Sequence, residues 1–408
     1  MSTYQTDQGS APAELEPVHA DVIRATLPLV GAKIDDITRV FYSRMFTARP
    51  ELLRTLFNRG NQAQGAQQRA LAASIATFAT QLVDPNLPHP ADLLSRIGHK
   101  HASLGITADQ YNVVHDHLFA AIVEVLGADT VTSEVAAAWD RVYWLMAKTL
   151  IDIENRLYEQ VGVPAGRVFH RARVTDRTED PSGTVIITAT ADAPIYIQQR
   201  PAQYVSVGIT LPDGARQIRQ YTVITGTGTT VTFAVKPVKG NNTEPAGEVS
   251  THIFKHVLLG DLIDISIPFG DLPTSELGTQ PILLISAGIG ITPMIGILEH
   301  LRDTGSTGQV QAMHADTSPV THPLRKQQHQ LIEELPNATL ELWYTEPDNA
   351  MTAHCGRIDL TDMTLVPGAS IFLCGNNGFV QDMRNQLIAQ GNEPVNIHCE
   401  LFSPNDWL

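Results

Sequence analysis

The sequence is short of basic side chains. Lysine and arginine number 28 against 43 aspartates and glutamates, for a formal net charge of −15. A partner recognised through a phosphate backbone needs clustered cations to displace counterions, so nucleic acid is excluded. Cysteine is scarcer still. Cys355, Cys374 and Cys399 are an odd number with no CxxC spacing, so they support neither a disulfide framework nor a thiolate metal site and read as free thiols of a reducing compartment. No run of about 18 apolar residues exists to span a bilayer, and the opening MSTYQTDQGSAPAELEPVHAD lacks the basic and apolar stretches of a leader. The expectation is a cytoplasmic globular protein, and 408 residues at about 100–200 per domain make two or three domains.

Three patterns follow one another along the chain. From Leu15 to about Tyr158 apolar residues recur at spacings of three and four, as in Ile34, Ile37, Phe41 and in Trp139, Val142, Met146, Leu150, Ile153, Leu157, which predicts an all-helical region. At VGVPAG the pattern turns to short segments rich in Thr, Val, Ile and Tyr: GTVIITATA, APIYIQQ, QYVSVGIT, RQYTVIT, TVTFAVKPV and LIDISIPFG. About six strands in so short a span predict an antiparallel β-barrel. After Leu272, PILLISA, QVQAMHA, TLELWYT and SIFLCG alternate with helical stretches, the signature of an α/β doubly wound parallel sheet. The expected domains are 1–160, 161–275 and 276–408.

RIGHKHASLGITADQYNVVHDHL carries four histidines on two helices. His99 and His101 are about 200° apart on a helix and cannot share a pocket. His101 falls between Ile97 and Leu104 and is predicted to face inward, whereas His99 beside Ser95 and Arg96 reads as a solvated surface residue. A lone inward histidine is first of all a core histidine satisfied by a carbonyl. His115 shares a face with Tyr111, Leu118 and Ile122, His117 points elsewhere, and neither has a ligand's spacing from His101, so a multi-histidine zinc site is not supported. Glu154 stands near Ala147, Leu150 and Leu157, where an unpaired carboxylate would be costly, and it could equally belong to the solvated flank of Asp152, Asn155 and Arg156. Tyr42 lies in FYSRMF among apolar neighbours.

Those residues carry a resemblance. FYSRMF with PELLRTLFN, then QQRALAASI, then KH followed ten residues later by QYN, and Trp139 followed by Glu154, resemble a bacterial globin; the whole order of patterns resembles a flavohaemoglobin. The resemblance implies an all-α globin, an antiparallel FAD-binding barrel and an NAD-binding α/β domain. It implies His101 as the metal ligand of haem b iron, Tyr42 as the distal tyrosine, Phe57 on the haem face, Gln67 and Leu71 on the distal helix, and Tyr111 with Glu154 as proximal partners of His101. A buried carboxylate accepting the imidazole N–H raises electron donation to iron and favours oxygen activation over storage.

In RQYT, strand alternation puts Arg219 and Tyr221 on one face and Gln220 and Thr222 on the other. Arginine suits a pyrophosphate, tyrosine offers a flat ring to a flavin, and a threonine hydroxyl can donate to flavin nitrogen. QRPAQY, with Tyr204, and GEVST, with Gly247, Glu248, Val249 and Ser250, resemble the other two FAD segments of ferredoxin-reductase-like barrels, Ala202 standing where a glycine is usual. In LLISAGIGITPM, Gly288 and Gly290 let backbone approach a phosphate with Ile291 in the same turn, and Thr292 with Pro293 reads as an N-cap and first-turn pair. FLCGNNGF resembles the second nicotinamide motif, with Cys374 and Gly375 near the ring and Asn376 in place of proline, and IHCELFSP resembles the closing segment, which implies Glu400 between flavin and haem and Phe402 over the flavin. Cys399 and Ser403 depart from the usual residues there. Lys100 would shape the flavin–haem contact. Asp316, after the second strand, favours a ribose hydroxyl and therefore NADH, with NADPH as the alternative should Arg325 and Lys326 fold back.

The implied activity is conversion of nitric oxide and O2 to nitrate by a nitric oxide dioxygenase, with electrons from NAD(P)H through FAD to haem. The alternatives are an oxygen or nitric oxide carrier or sensor and a haem-assisted alkyl hydroperoxide reductase. A monomer, and a lipid in the haem pocket, complete the expectations.

Overall fold

The structure, a computed structural model, describes residues 15–84, 86–87, 94–195, 200–240, 245–275, 277–278, 280–347 and 353–402. The helical part comprises α1 (Pro17–Ala48), α2 (Pro50–Thr55), α3 (Arg59–Ala63), α4 (Ala66–Val83), α5 (Leu94–Leu104), α6 (Gln110–Leu126) and α7 (Ser133–Gln160). Their apolar stripes meet in one core that includes Phe41, Met45, Phe78, Leu118, Trp139 and Val142. Asn58 starts α3 by accepting from the Gly60 and Asn61 amides, and Thr132 caps α7 by accepting from Val135.

Six strands then close into an antiparallel barrel: β1 (Phe169–Glu179), β2 (Val185–Ala191), β3 (Tyr204–Thr210), β4 (Arg216–Thr227), β5 (Thr230–Val235) and β6 (Leu262–Ser266), in the order β1-β2-β5-β4-β3-β6, with α8 (Glu248–His256) between the last two. The first strand was not expected, because in FHRARVTDRTE only Ala172 and Val174 are fully buried and charged residues fill the outward positions. Most of APIYIQQ lies outside the described residues.

The last part is a parallel six-stranded sheet, β7 (Ile282–Ala287), β8 (Val310–Asp316), β9 (Ala338–Tyr344), β10 (His354–Cys355), β11 (Ser370–Gly375) and β12 (Ile397–Leu401), in the order β10-β9-β8-β7-β11-β12. The helices α9 (Ile291–Asp303), α10 (Arg325–Glu334) and α11 (Asn377–Ala389) cover its faces over two separate apolar clusters. The doubly wound expectation is met, with β10 and β12 as additions at its edges. No helix among the described residues is long and apolar enough to cross a membrane.

Candidate functional site

His101 sits on α5, Tyr111 at the start of α6 and Glu154 on α7. The imidazole Nδ1 lies 2.9 Å from Glu154 Oε1 and 3.0 Å from the Tyr111 hydroxyl, which itself donates to the same carboxylate oxygen. Glu154 is 2% exposed, so it belongs to the inward face and not to the solvated flank. With Nδ1 committed, His101 Nε2 has no partner among the described residues, and the side chain keeps 32% of its surface open. The helix spacing that permits this comes from Gly98, where a Cβ would stand 2.5 Å from Ile153 Cγ2; the absence of a side chain lets α5 lie against α7.

Tyr42, 5% exposed, packs edge-on to Phe57 with ring centroids 5.9 Å apart, and Phe46 completes the aromatic group. Burial drives the Tyr42 phenol well above its ordinary value, against the lowering influence of Gln67 and Gln62. Leu71, one turn beyond Gln67 on α4, is partly buried against the same core. Gln62 is a residue that the sequence reading missed; both polar atoms of its amide are buried without a hydrogen-bond partner among the described residues. Its only advance signal was its place four residues after Asn58 in the turn that carries Phe57.

The largest correction concerns His99. It is 9% exposed, and its Nδ1 accepts a hydrogen bond from the Gly270 amide at 3.1 Å, so it is buried and not a solvated surface residue. Burial pulls its pKa down to about 4, which keeps it a neutral acceptor. Arg96, His99, Lys100 and Ser103 form a polar stripe on α5 that faces the other two domains. Arg96 donates to the Cys399 carbonyl at 2.5 Å. Ser103 Oγ receives a hydrogen bond from Ser206 at 2.9 Å, and Gln220 donates to Ser206 at 3.0 Å. Gln220, expected on the cofactor, is thus engaged toward the helical domain. Burial lowers the Lys100 ammonium, Arg219 lowers it further and Glu400 opposes both. Glu400, 8% exposed, is pushed up to about 8 by burial, with Arg96 and Lys100 pulling it down and Asp271 pushing it up.

On the barrel, Tyr204 pairs with Thr222, Val205 with Tyr221 and Val207 with Arg219. Tyr204 and Thr222 are buried, and the Tyr221 ring stacks on Phe233 at 5.5 Å. Arg219 meets only the Ile218 carbonyl, at 2.7 Å, among the described residues. A partly buried guanidinium without a carboxylate mate suits an anion. Gly247 is the N-cap of α8, Glu248 its first residue, Val249 is buried and Ser250 donates to the Gly247 carbonyl. Ala202 keeps a left-handed φ of 63° despite its Cβ, so the turn that favours glycine is retained.

At the end of β7, Gly288 has φ 55° and open space where a Cβ would be, and Gly290 packs so closely on the Cys374 carbonyl that a Cβ would collide with it. The two glycines serve different needs, backbone turn and close approach. A 3₁₀ turn over Gly288–Gly290 precedes α9, so the helix begins at Ile291, earlier than the sequence suggested. Thr292 is therefore not its N-cap; its hydroxyl donates to the Ile289 carbonyl at 3.1 Å, and Pro293 follows inside the first turn. Ser286, Cys374 and Glu400 are register neighbours across β7, β11 and β12. Cys374 is fully buried with its thiol held well above the ordinary range by that burial, and all three cysteines are free. Gly375 ends β11, and Asn376 caps α11 by accepting from the Phe379 amide at 3.0 Å. Phe402 is 46% exposed, and Ser403 lies outside the described residues. Asp316 is folded inward: its Oδ1 accepts from the Thr317 amide and the Thr321 hydroxyl, and Lys236 stands 3.7 Å from Oδ2.

A globin family profile fits residues 39–150 and an oxidoreductase NAD-binding domain profile fits residues 284–385. A flavohemoprotein of Bordetella parapertussis is 34% identical over 403 residues, 95% of this chain and 98% of that one. The crystal structure of a flavohemoglobin from Malassezia yamatoensis with bound FAD and heme superposes with a TM-score of 0.87 at 35% identity, covering 96% of this chain and all of that one. The FAD/NAD-binding domain of a nitric oxide dioxygenase from Vibrio cholerae matches 58% of this chain and all of its own, with a TM-score of 0.54 at 28% identity.

Proposed function

This chain belongs to the flavohaemoglobin family, and we infer from that membership that it is a nitric oxide dioxygenase using haem b, FAD and a reduced nicotinamide dinucleotide. Its residues fit those groups. His101 Nε2 is free to hold iron, Arg219 waits without a carboxylate mate for a diphosphate, and Gly288 leaves open space at a turn that Gly290 closes against the Cys374 carbonyl. Bound there, FAD would supply the link between the two-electron chemistry of a nicotinamide and the one-electron chemistry of a haem that oxidation of nitric oxide by O2 to nitrate requires.

The chain's own contributions follow from position. Glu154 fixes the His101 tautomer by accepting its Nδ1–H, and Tyr111 holds that carboxylate in place, so the ligand is oriented and made more basic. The Tyr42 phenol keeps its proton, because burial has raised its pKa, and so serves as a hydrogen-bond donor on the distal side beside Gln67. Phe57 and Leu71 keep water away. Tyr221, backed by Phe233, offers its ring to the flavin, with Tyr204 and Thr222 on the opposite face. Gly247, Glu248, Val249 and Ser250 would present the start of α8 to the FAD diphosphate. Gly290, Ile291, Thr292 and Pro293 would shape the dinucleotide turn beside Cys374 and Gly375. Asp316 is spent on Thr317, Thr321 and Lys236, which removes the ground for preferring NADH and leaves the dinucleotide as NAD(P)H.

The observation that carries the reading is α5 itself: it joins His101 to Glu154 inside the globin, while Arg96, His99 and Ser103 on its other side meet Cys399, Gly270 and Ser206 of the reductase domains. A carrier or sensor has no use for that arrangement. We place the domain boundaries at 160/161 and 275/276, and read the protein as a cytoplasmic monomer. The apolar hollow lined by Ile37, Ile75, Phe78, Ile122, Trp139 and Met146 encloses about 30 Å³, too little to hold the lipid that was expected in the haem pocket. The test is anaerobic reduction with NADH followed by nitric oxide in oxygenated buffer. Nitrate formed with turnover supports the reading; ligand binding without turnover refutes it.

A further inference from the structure

Glu248 occupies an awkward place. It is the first residue of α8, whose N-terminal amides are those offered to the FAD diphosphate, and a carboxylate there competes with the cofactor for the same positive field. Burial holds the Arg219 guanidinium below its ordinary value, and Arg219 lies within electrostatic reach of both Glu248, which raises it, and Arg59, which lowers it. Left alone, Glu248 would cancel the charge that Arg219 brings to the cofactor.

The compensation comes from the globin. Arg59 begins α3, two residues after Phe57, and grips both Glu248 oxygens, through Nη2 to Oε1 and through Nε to Oε2 at 3.3 Å. Its Nη1 meets Asp213 Oδ2 at 2.6 Å, and its backbone amide donates to Gln217 Oε1 at 3.3 Å. The backbone is thus pinned to the barrel independently of the guanidinium, so the charge can be removed without undocking the turn. Nearby, Gln217 Nε2 donates to the Leu53 carbonyl at 3.0 Å and Arg54 donates to the Asp213 carbonyl at 2.8 Å, which hold the same surface together.

We propose that Arg59 is a globin-borne member of the FAD diphosphate site, acting through Glu248: by neutralising that carboxylate it leaves the Arg219 charge for the cofactor, so flavin affinity depends on the docked globin. The inference rests on the flavin reading of the barrel given above. Arg59 is a positioning residue and need not touch FAD.

The experiment uses full-length, haem-loaded protein stripped of flavin and titrated with FAD at low ionic strength, by quenching of flavin fluorescence. The haem absorption of each variant reports that the globin is intact. Arg59→Gln leaves the Glu248 charge uncompensated beside the diphosphate site and should weaken FAD binding roughly tenfold, an effect that shrinks as salt is added. Arg59→Lys keeps the charge and should stay within about threefold of the parent. Glu248→Gln should bind FAD at least as tightly as the parent, and Arg59→Gln combined with Glu248→Gln should recover parental affinity. Asp213→Asn, which breaks the other ion pair, should leave FAD affinity unchanged. Equal affinity in Arg59→Gln and the parent overturns the proposal. So does a double variant as weak as Arg59→Gln, or an Asp213→Asn variant that weakens alike, because either makes Arg59 a docking residue only. A parent protein that takes up no FAD overturns the flavin reading itself, and the inference with it.

Discussion

Replacing Glu400 by glutamine isolates the energetic effect of one buried carboxyl at the junction of the three domains. The unfolded chain titrates this group near 4.5, and the folded protein titrates it near 8. Between those values the folded state holds a proton that the unfolded state has released, so stability falls as pH rises through the window and levels off above 8. Each unit is worth about 1.4 kcal/mol, and the burial of Glu400 at 8% exposure allows the window to count nearly in full; the deficit above pH 8 is roughly 3–5 kcal/mol. Glutamine has the same shape and no charge at any pH. At pH 5 the two proteins should therefore unfold at nearly the same temperature, and at pH 8.5 the Glu400→Gln variant should unfold about 10 °C higher. His314 and His398, which burial holds below the ordinary imidazole value, also link folding to pH, but they are common to both proteins and cancel in the difference. Thermal unfolding followed by flavin fluorescence across pH 5 to 9 makes the comparison. A difference in melting temperature that is the same at pH 5 and 8.5 would refute the assignment of a raised carboxyl to this position.

Three further outcomes follow from the haem side. Tyr42→Phe removes the protonated distal donor and should speed O2 release about tenfold, the worth of a hydrogen bond of roughly 1.4 kcal/mol, while also cutting turnover; an unchanged off-rate in stopped-flow measurements rejects the role. His101→Ala should abolish haem retention and leave FAD bound, as read from the Soret and flavin bands of the purified protein, and intact haem would exclude this residue as the ligand. Gly98→Ala puts a Cβ 2.5 Å from Ile153 Cγ2, so α5 and α7 must part. The overpacking should cost about 1–3 kcal/mol, lower the melting temperature of the globin and weaken the iron–histidine stretch in resonance Raman spectra. An unaltered stretch would show that Gly98 does not set the distance between His101 and Glu154.

The three-part architecture was legible because each part writes its own period: spacings of three and four through α7, alternation in β2 to β5, and strand then helix from β7 onward. LLISAGIGITPM was legible because a strand, two glycines and a helix start compete with few other readings. What escaped had weak or divided signals. In β1 only two fully buried side chains stand among charges, and β10 spans two residues. Thr292 was misplaced because an N-cap and a buried threonine that donates to a carbonyl look alike without the preceding 3₁₀ turn. Asp316 sits where a ribose-reading carboxylate would, yet Thr317 and Thr321 follow closely enough to claim it. Short-range competition of that kind is visible in a sequence only as polar composition.

The misreading of His99 has a more general cause. An amphipathic pattern assumes one buried face and one wet one, so Arg96, His99, Lys100 and Ser103, at spacings of three, four and seven, look like the wet side of α5. In the structure that side is covered too: Gly270, Cys399 and Ser206 supply its partners, and Ser103 is fully buried. Polar residues suit such a boundary because each domain contributes backbone or hydroxyl groups that an apolar face would leave unsatisfied. Both sides of one short helix are therefore constrained, by the contacts of His101 with Glu154 and Tyr111 within the globin and by contact with the reductase outside it. Any rotation of α5 that improved the fit to one side would move His101 relative to Glu154 and Lys100 relative to Glu400 at once. The placement of His101 within the globin and of Lys100 toward the reductase is thus tied through this single helix, and the Arg59 contact gives the globin a second, independent hold on the same barrel.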